Sequence, residues 1–202
     1  MAMKRTALLA IAVFVLLTGH LGCDKAPPTR HAERQNKRLE ALIAGLKSDS
    51  KTNRIRAAEK LANMGSVASG AAADIIEAMD SDDAELRAYA ARALGRICQP
   101  AAGSAPPQAD TVVPALRKKL ADPDAMVRVW SAFSLFQILP DADPEIKVLA
   151  DVVQTRGDAQ ARIQAAVAIG EMGPRGKGAV PALIAALSSR SVNRHAAYAL
   201  GM

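Results

Sequence analysis

From Asn53 onward the chain repeats one arrangement of apolar and polar positions. The segments NRIRAAEKLANMG from Asn53, LRAYAARALGRIC from Leu86, VRVWSAFSLFQIL from Val127 and ARIQAAVAIGEMG from Ala161 superpose without a gap. An arginine leads each one: Arg54, Arg87, Arg128 and Arg162. Three and four positions later come small residues: Ala57 and Ala58, Ala90 and Ala91, Ser131 and Ala132, Ala165 and Ala166. Seven positions later comes an aliphatic residue (Leu61, Leu94, Leu135, Ile169), and at ten another aliphatic or a methionine. These offsets fall on one face of an α-helix, so each segment is predicted to be an amphipathic helix with a small-residue face.

Ahead of each lies a second helical pattern, at Arg38 to Leu46, Ala71 to Met79, Thr111 to Leu120 and Glu145 to Val153. In the first three the last aliphatic residue stands eight positions before the arginine, with Asp49, Asp82 or Asp122 in the gap. So short a polar gap predicts antiparallel helical hairpins. The arginines are 33, 41 and 34 residues apart; the segment QPAAGSAPPQAD at 99–110, rich in Pro and Gly, accounts for the long interval as a surface-loop insert. A fifth unit starts at AVPALIAALSSRSVNRHAAYALG, with Asn193 at the arginine position, and is truncated at Met202. One hairpin cannot bury its apolar faces alone, so the units must stack. The predicted fold is all-α: a right-handed α-solenoid of antiparallel hairpins over residues 37–202, with about four full repeats and a truncated fifth.

Composition agrees with helices rather than sheets, since aromatic residues make up only 3% of the chain and no stretch alternates at period two. The formal charge is +6, but Lys4 and Arg5 belong to a segment expected to be removed, leaving 24 basic against 20 acidic residues, about +4. These charges lie in mixed-sign runs without the clustered basic stripe that phosphate binding needs, which argues against nucleic acid.

The N-terminus reads as an address. A basic start at Lys4 and Arg5, an apolar run from Ala7 to Leu17 and a small-residue stretch ending at Cys23 have the layout of a secretory signal, and the run is too short to span a membrane. The segment LTGHLGC resembles a bacterial lipobox, although His20 stands where Leu is usual. That resemblance implies cleavage after Gly22, lipidation of Cys23 and a lipid-anchored protein of the cell envelope, facing the periplasm or the exterior. Residues 23–36, with Pro27 and Pro28, read as a semi-extended tether. With Cys23 committed to lipid, Cys98 is expected as an unpaired, buried thiol.

On the residues quoted, and above all on VPALRKKLADPDAMVRVWSAF at 113–133, the chain resembles the HEAT-repeat family, in its short phycobilisome-lyase-like type. The resemblance implies a scaffold whose second helices line a concave face. Two alternatives stand beside that reading: a bilin lyase or isomerase, and a structural envelope component without a specific partner.

Catalytic chemistry is not legible. The sequence has no HExxH, His-Glu pair or CxxC, and GPRGKG at 173–178 lacks the phosphate-loop spacing, so no enzyme activity, metal or cofactor is expected. The aspartates Asp49, Asp82 and Asp122 are expected to cap helices, and Arg54, Arg87, Arg128 and Arg162 to bond carbonyls or acids of the neighbouring repeat, as a structural ladder. Positions two and five after the arginine fall off the small-residue face. In this row stand Tyr89, Arg92, Trp130, Phe133, His195 and Tyr198, residue types that protein-binding hot spots favour. They are read as contacts for a protein or peptide partner, the alternative being that Trp130 and Phe133 pack under the insert. The edge around Val192, Ala196 and Leu200 is expected to be open and able to self-associate.

Overall fold

The computed structural model describes residues 30–100, 106–139 and 143–202; the lipidation site at Cys23 lies outside them. The chain divides into two compact units, Met1–Lys37 and Arg38–Met202, and the second carries the repeats. Among the described residues there are helices and turns but no strand. The helices are α1 (Arg30–Leu46), α2 (Lys51–Met64), α3 (Ala72–Ala78), α4 (Ala84–Ile97), α5 (Ala109–Lys118), α6 (Ala125–Ile138), α7 (Asp143–Gln154), α8 (Ala159–Glu171), α9 (Val180–Ala186) and α10 (Asn193–Leu200). Short 3-10 segments at Gly65–Ala71 and Gly173–Ala179 lead into α3 and α9, and GPRGKG lies in the second of them.

Helix α3 pairs with α4, α5 with α6, α7 with α8 and α9 with α10 as hairpins, and the second helices stack: α4 packs on both α2 and α6, and α8 on α10. The fold is therefore an α-solenoid. Two boundaries differ from the sequence expectation. Helix α1 starts at Arg30, inside the segment read as a semi-extended tether, because beyond Pro28 the run RHAERQNKRLEALIAGL holds strong helix formers and no proline. Helix α5 starts at Ala109, inside the predicted insert, behind Gln108 in a left-handed conformation whose side-chain amide donates to the Ser69 carbonyl at 2.8 Å.

The small residues sit where the helices meet. Ala57, Ala58, Ala90, Ala91, Ser131, Ala132, Ala165 and Ala166 are all buried, as are Leu61, Leu94, Leu135 and Ile169. The buried apolar side chains form two clusters that divide along α6: Leu135 and Ile138 belong to the first, while Val129, Ala132, Phe133 and Phe136 belong to the second. Cys98 is fully buried, and burial pushes its thiol up to about 11, so it packs as a hydrophobe. Glu145 is also buried, with neither carboxylate oxygen hydrogen-bonded; it stands in the first turn of α7, where the helix N-terminus offsets part of the cost of desolvation.

The arginine ladder exists, but its rungs differ from the expectation. In three repeats the arginine Nη1 reaches back to the turn of its own hairpin and donates to the carbonyls six and five residues earlier. Arg54 bonds Ser48 and Asp49 at 2.8 and 3.0 Å, Arg87 bonds Ser81 and Asp82 at 2.9 and 3.1 Å, and Arg128 bonds Asp122 and Pro123 at 2.7 and 3.0 Å. Arg162 instead takes the Val153 carbonyl at 2.9 Å and the Ser191 hydroxyl at 3.5 Å. The expected caps are also displaced. Ser50, Asp83, Asp124 and Asp158, each four positions before its arginine, accept from first-turn N–H groups, whereas Asp49 and Asp82 are exposed turn residues. A side chain directly at the N-cap is the one that can turn back on the first N–H groups, and one residue earlier is too far out.

Asp122 has a different task. It is 7% exposed and takes a bidentate pair from Arg87, Nε and Nη2 each at 2.9 Å, which ties the second repeat to the third. Burial alone would raise its carboxyl pKa, but the Arg87 pair and the Asp124 N–H outweigh that and hold it below the usual carboxylate range. Exposed ion pairs also link repeats, such as Lys47 with Asp74 and Glu77, and these add little stability.

Candidate partner-binding groove on the second helices

The row two and five positions after the arginine leads to a groove. Tyr89 and Arg92 of α4 and Trp130 of α6 line one open hollow of about 710 Å³ that crosses from α2 to α8. Its polar rim comes from Lys51, Asp83, Glu85 and Asp124, and Gln160 and Gln164 close the α8 side. A smaller hollow of about 120 Å³ continues toward the helix C-termini, sharing Arg92, Trp130 and Gln164 and adding Arg96, Phe133 and Glu171.

The aromatic centre is held in place from both sides. The Arg92 guanidinium carbon lies 4.9 Å from the centroid of the Trp130 ring, a cation–π contact. Trp130 meets Phe133 edge-on at 6.3 Å, and Phe133 stacks on Phe136 at 6.4 Å. Arg175, from the 3-10 segment, covers the Phe136 ring at 3.8 Å and donates to the Leu139 carbonyl. Phe133 is only 8% exposed and belongs to the second core, so it floors the groove, while Tyr89, Arg92 and Trp130 remain half-buried and reachable.

The other row residues are not brought together with this patch. His195 is half-buried and Tyr198 is 63% exposed on α10, and neither lines the two hollows. Nor is the C-terminal edge open where the sequence suggested. Val192 and Ala196 are fully buried against the second core, and exposed apolar residues of that hairpin are Val180 and Ile184 on α9, Leu187 just after it, and Tyr198 and Leu200 on α10. The helical register of α10 turns Val192 and Ala196 inward, toward α8.

The sequence reading missed the rim. Relative to each arginine the lining residues stand at −4 (Asp83, Asp124), −2 (Glu85, Met126, Gln160), +2, +5 and +9 (Arg96, Gln137, Glu171). Positions −2, +2, +5 and +9 are offsets of four, seven and eleven from the first, a single helical face, so extending the row by one turn at each end would have found them.

Among the described residues no group of three His, Cys, Asp or Glu side chains gathers to hold a metal, and no helix is long and apolar enough to cross a membrane. What the groove offers is a half-buried aromatic platform, a stacked cation and a polar rim on the faces of the stacked hairpins of an α-solenoid.

Comparison with known proteins agrees. A family model for HEAT repeats matches residues 39–106, one for a HEAT-like repeat matches 84–132, and one for the PBS lyase HEAT-like repeat matches 161–189. The chain belongs to the HEAT-repeat family. Among solved structures it is similar to an engineered protein at 25% identity, covering 81% of this chain and 78% of the other with a TM-score of 0.51. It is also similar to the complex of CpcE and CpcF of phycocyanin lyase from a Nostoc species, at 27% identity over 90% of this chain and 67% of that one, with a TM-score of 0.51. A designed armadillo repeat protein in complex with a peptide matches at 20% identity over 84% and 85% of the two chains, with a TM-score of 0.50, a likeness of fold alone. No curated protein matches significantly.

Proposed function

We propose that this chain is an exported, membrane-anchored, non-catalytic HEAT-repeat scaffold that holds a partner protein in the groove along its second helices. The observation that carries the binding reading is the Tyr89–Arg92–Trp130 platform, aromatic and arginine side chains of two stacked helices meeting in one accessible hollow. Such side chains bury large area at low entropic cost, and their truncation typically costs about 2 kcal/mol or more of binding. Tyr89→Ala combined with Trp130→Ala is expected to weaken partner capture from envelope extracts by more than about 30-fold. Tyr198→Ala, outside the groove, is expected to leave capture unchanged. Equal binding by all three proteins, measured by quantitative pull-down, would place the partner elsewhere.

The anchoring part of the reading rests on the layout of residues 1–23. Mass spectrometry of membrane-extracted protein is expected to show a diacylglycerol- or triacyl-modified Cys23 as the first residue. Cys23→Ala is expected to move the protein from the membrane to the soluble fraction, because one or more acyl chains supply the membrane affinity. An unmodified Met1 on cytosolic protein would sink the export reading.

A second reading, a protein that handles a bilin, is favoured by the likeness to the phycocyanin lyase complex and by the PBS lyase HEAT-like match. Visible absorbance of the protein after incubation with a bilin separates the two: a shifted, protein-bound band supports the lyase-like reading, and an unchanged free-bilin spectrum supports the scaffold.

A further inference from the structure

We infer that the groove takes an extended segment of a partner protein bearing opposite charges about four residues apart, its carboxylate on Arg92 and its ammonium or guanidinium group on the rim of Asp83, Glu85 and Asp124. The inference rests on the groove being the partner site and adds the charge pattern of what occupies it.

The argument starts from Arg92. Its guanidinium has five N–H donors, yet among the described residues it donates to no acceptor and forms no ion pair, and its contact is with the face of Trp130. Its N–H donors stay open to the hollow, and a carboxylate supplies the bidentate pairing that guanidinium geometry favours. Arg96, one turn further along α4, adds a second positive charge to the same small hollow, against Glu171 alone.

The opposite end has the opposite sign. Asp83, Glu85 and Asp124 face Lys51, which pairs with Asp83 at 3.2 Å and Glu85 at 3.1 Å. Three carboxylates against one ammonium leave an excess of negative charge there. That rim repels a polyanion, so neither a nucleic acid nor an anionic lipid surface suits this groove; a purely basic segment is repelled at Arg92 and Arg96 in turn. A segment carrying both signs meets both ends.

The separation follows from helix geometry. Asp83 and Arg92 are nine positions apart on α4, about 13 Å of axial rise, a distance that an extended chain covers in about four residues. Between the two ends lie the Tyr89 and Trp130 rings, which suit an apolar side chain at the middle of the segment, and Gln160 and Gln164, whose amides can meet its backbone.

Trp130 is the single tryptophan of the chain, so its emission reports occupancy of the groove directly. The test uses the full chain and a position-randomised library of blocked heptapeptides, read by enrichment on immobilised protein and then by Trp130 emission with the enriched peptides. The expected result is enrichment of peptides with one acidic and one basic residue three to five positions apart, with a shift in Trp130 emission. Arg92→Gln is expected to lose the acidic preference and keep the basic one. Asp124→Asn, which retains an N-cap side chain for α6, is expected to weaken the basic preference alone. Each preference lost is expected to cost about tenfold in affinity. Enriched peptides of a single charge sign, or a charge pattern that survives Arg92→Gln, overturn the inference while leaving the groove as the partner site. If no peptide moves Trp130 emission, both readings fail together; a concentration-dependent emission change without peptide would assign the groove to a second copy of the chain and overturn the inference as well.

Discussion

Gly95→Ala is expected to destabilise the repeat unit by about 3 kcal/mol, although the same change in an exposed helix stabilises by about 1 kcal/mol. A Cβ at position 95 would meet the Ser134 hydroxyl, and it would stand 2.6 Å from the Ser134 Cβ and 2.8 Å from its Cα. The last of these is backbone, which no rotamer change relieves. Helices α4 and α6 approach this closely because Ser134 hydrogen-bonds the Ala91 carbonyl at 2.9 Å across the same contact. Overpacking therefore outweighs the gain in propensity. Thermal unfolding followed by circular dichroism checks the sign: a raised midpoint for Gly95→Ala would show that the two helices can part at no cost.

Breaking the Arg87–Asp122 pair is expected to cost about 3 kcal/mol or more. The two side chains are 12% and 4% exposed, so either partner, left alone, is a charge largely removed from water. Arg87 also holds the turn of its own hairpin through Ser81 and Asp82, so Arg87→Ala is expected to be at least as damaging as Asp122→Ala. Asp122→Asn keeps the shape and the bond from the Asp124 N–H, and isolates the ionic part. The pH dependence has a definite sign. A carboxyl whose pKa is depressed in the folded state contributes its stability in full above the unfolded value of about 4, and loses it as pH falls through the lower folded value. Denaturant titrations are expected to show wild type losing its advantage over Asp122→Asn in that acid range; a gap unchanged from pH 7 to pH 2 would mean that the pair contributes no net stability.

These contacts show where sequence reading succeeds. The period of small residues at Ala57 and Ala58 and its three counterparts gives the helices, their buried faces and their pairing, because each fact is set by spacing within one helix. Tyr89, Arg92 and Trp130 were legible for the same reason. The rest depends on which hairpin turn faces which helix. That Asp122, six positions before its arginine, is buried against Arg87, while Asp49 and Asp82, five before theirs, are exposed, follows from contact across 35 residues, which no local pattern encodes. The displaced caps were a matter of one or two residues in a turn, where several polar residues compete and only the backbone angles decide. Phe133 and Val192 were placed on the right helices, yet their inward orientation depended on neighbours contributed by other repeats.

The division of the core along α6 gives the molecule a preferred line of failure. Its two apolar clusters share a wall but not their contents, so the halves before and after that wall need not lose structure together. Under denaturant or tension one half can melt while the other persists, with α6 as the last element both depend on. Trp130 is packed against both clusters at this boundary, so the aromatic centre of the groove also rests on the seam, and any occupant of the groove would act as a splint between the halves.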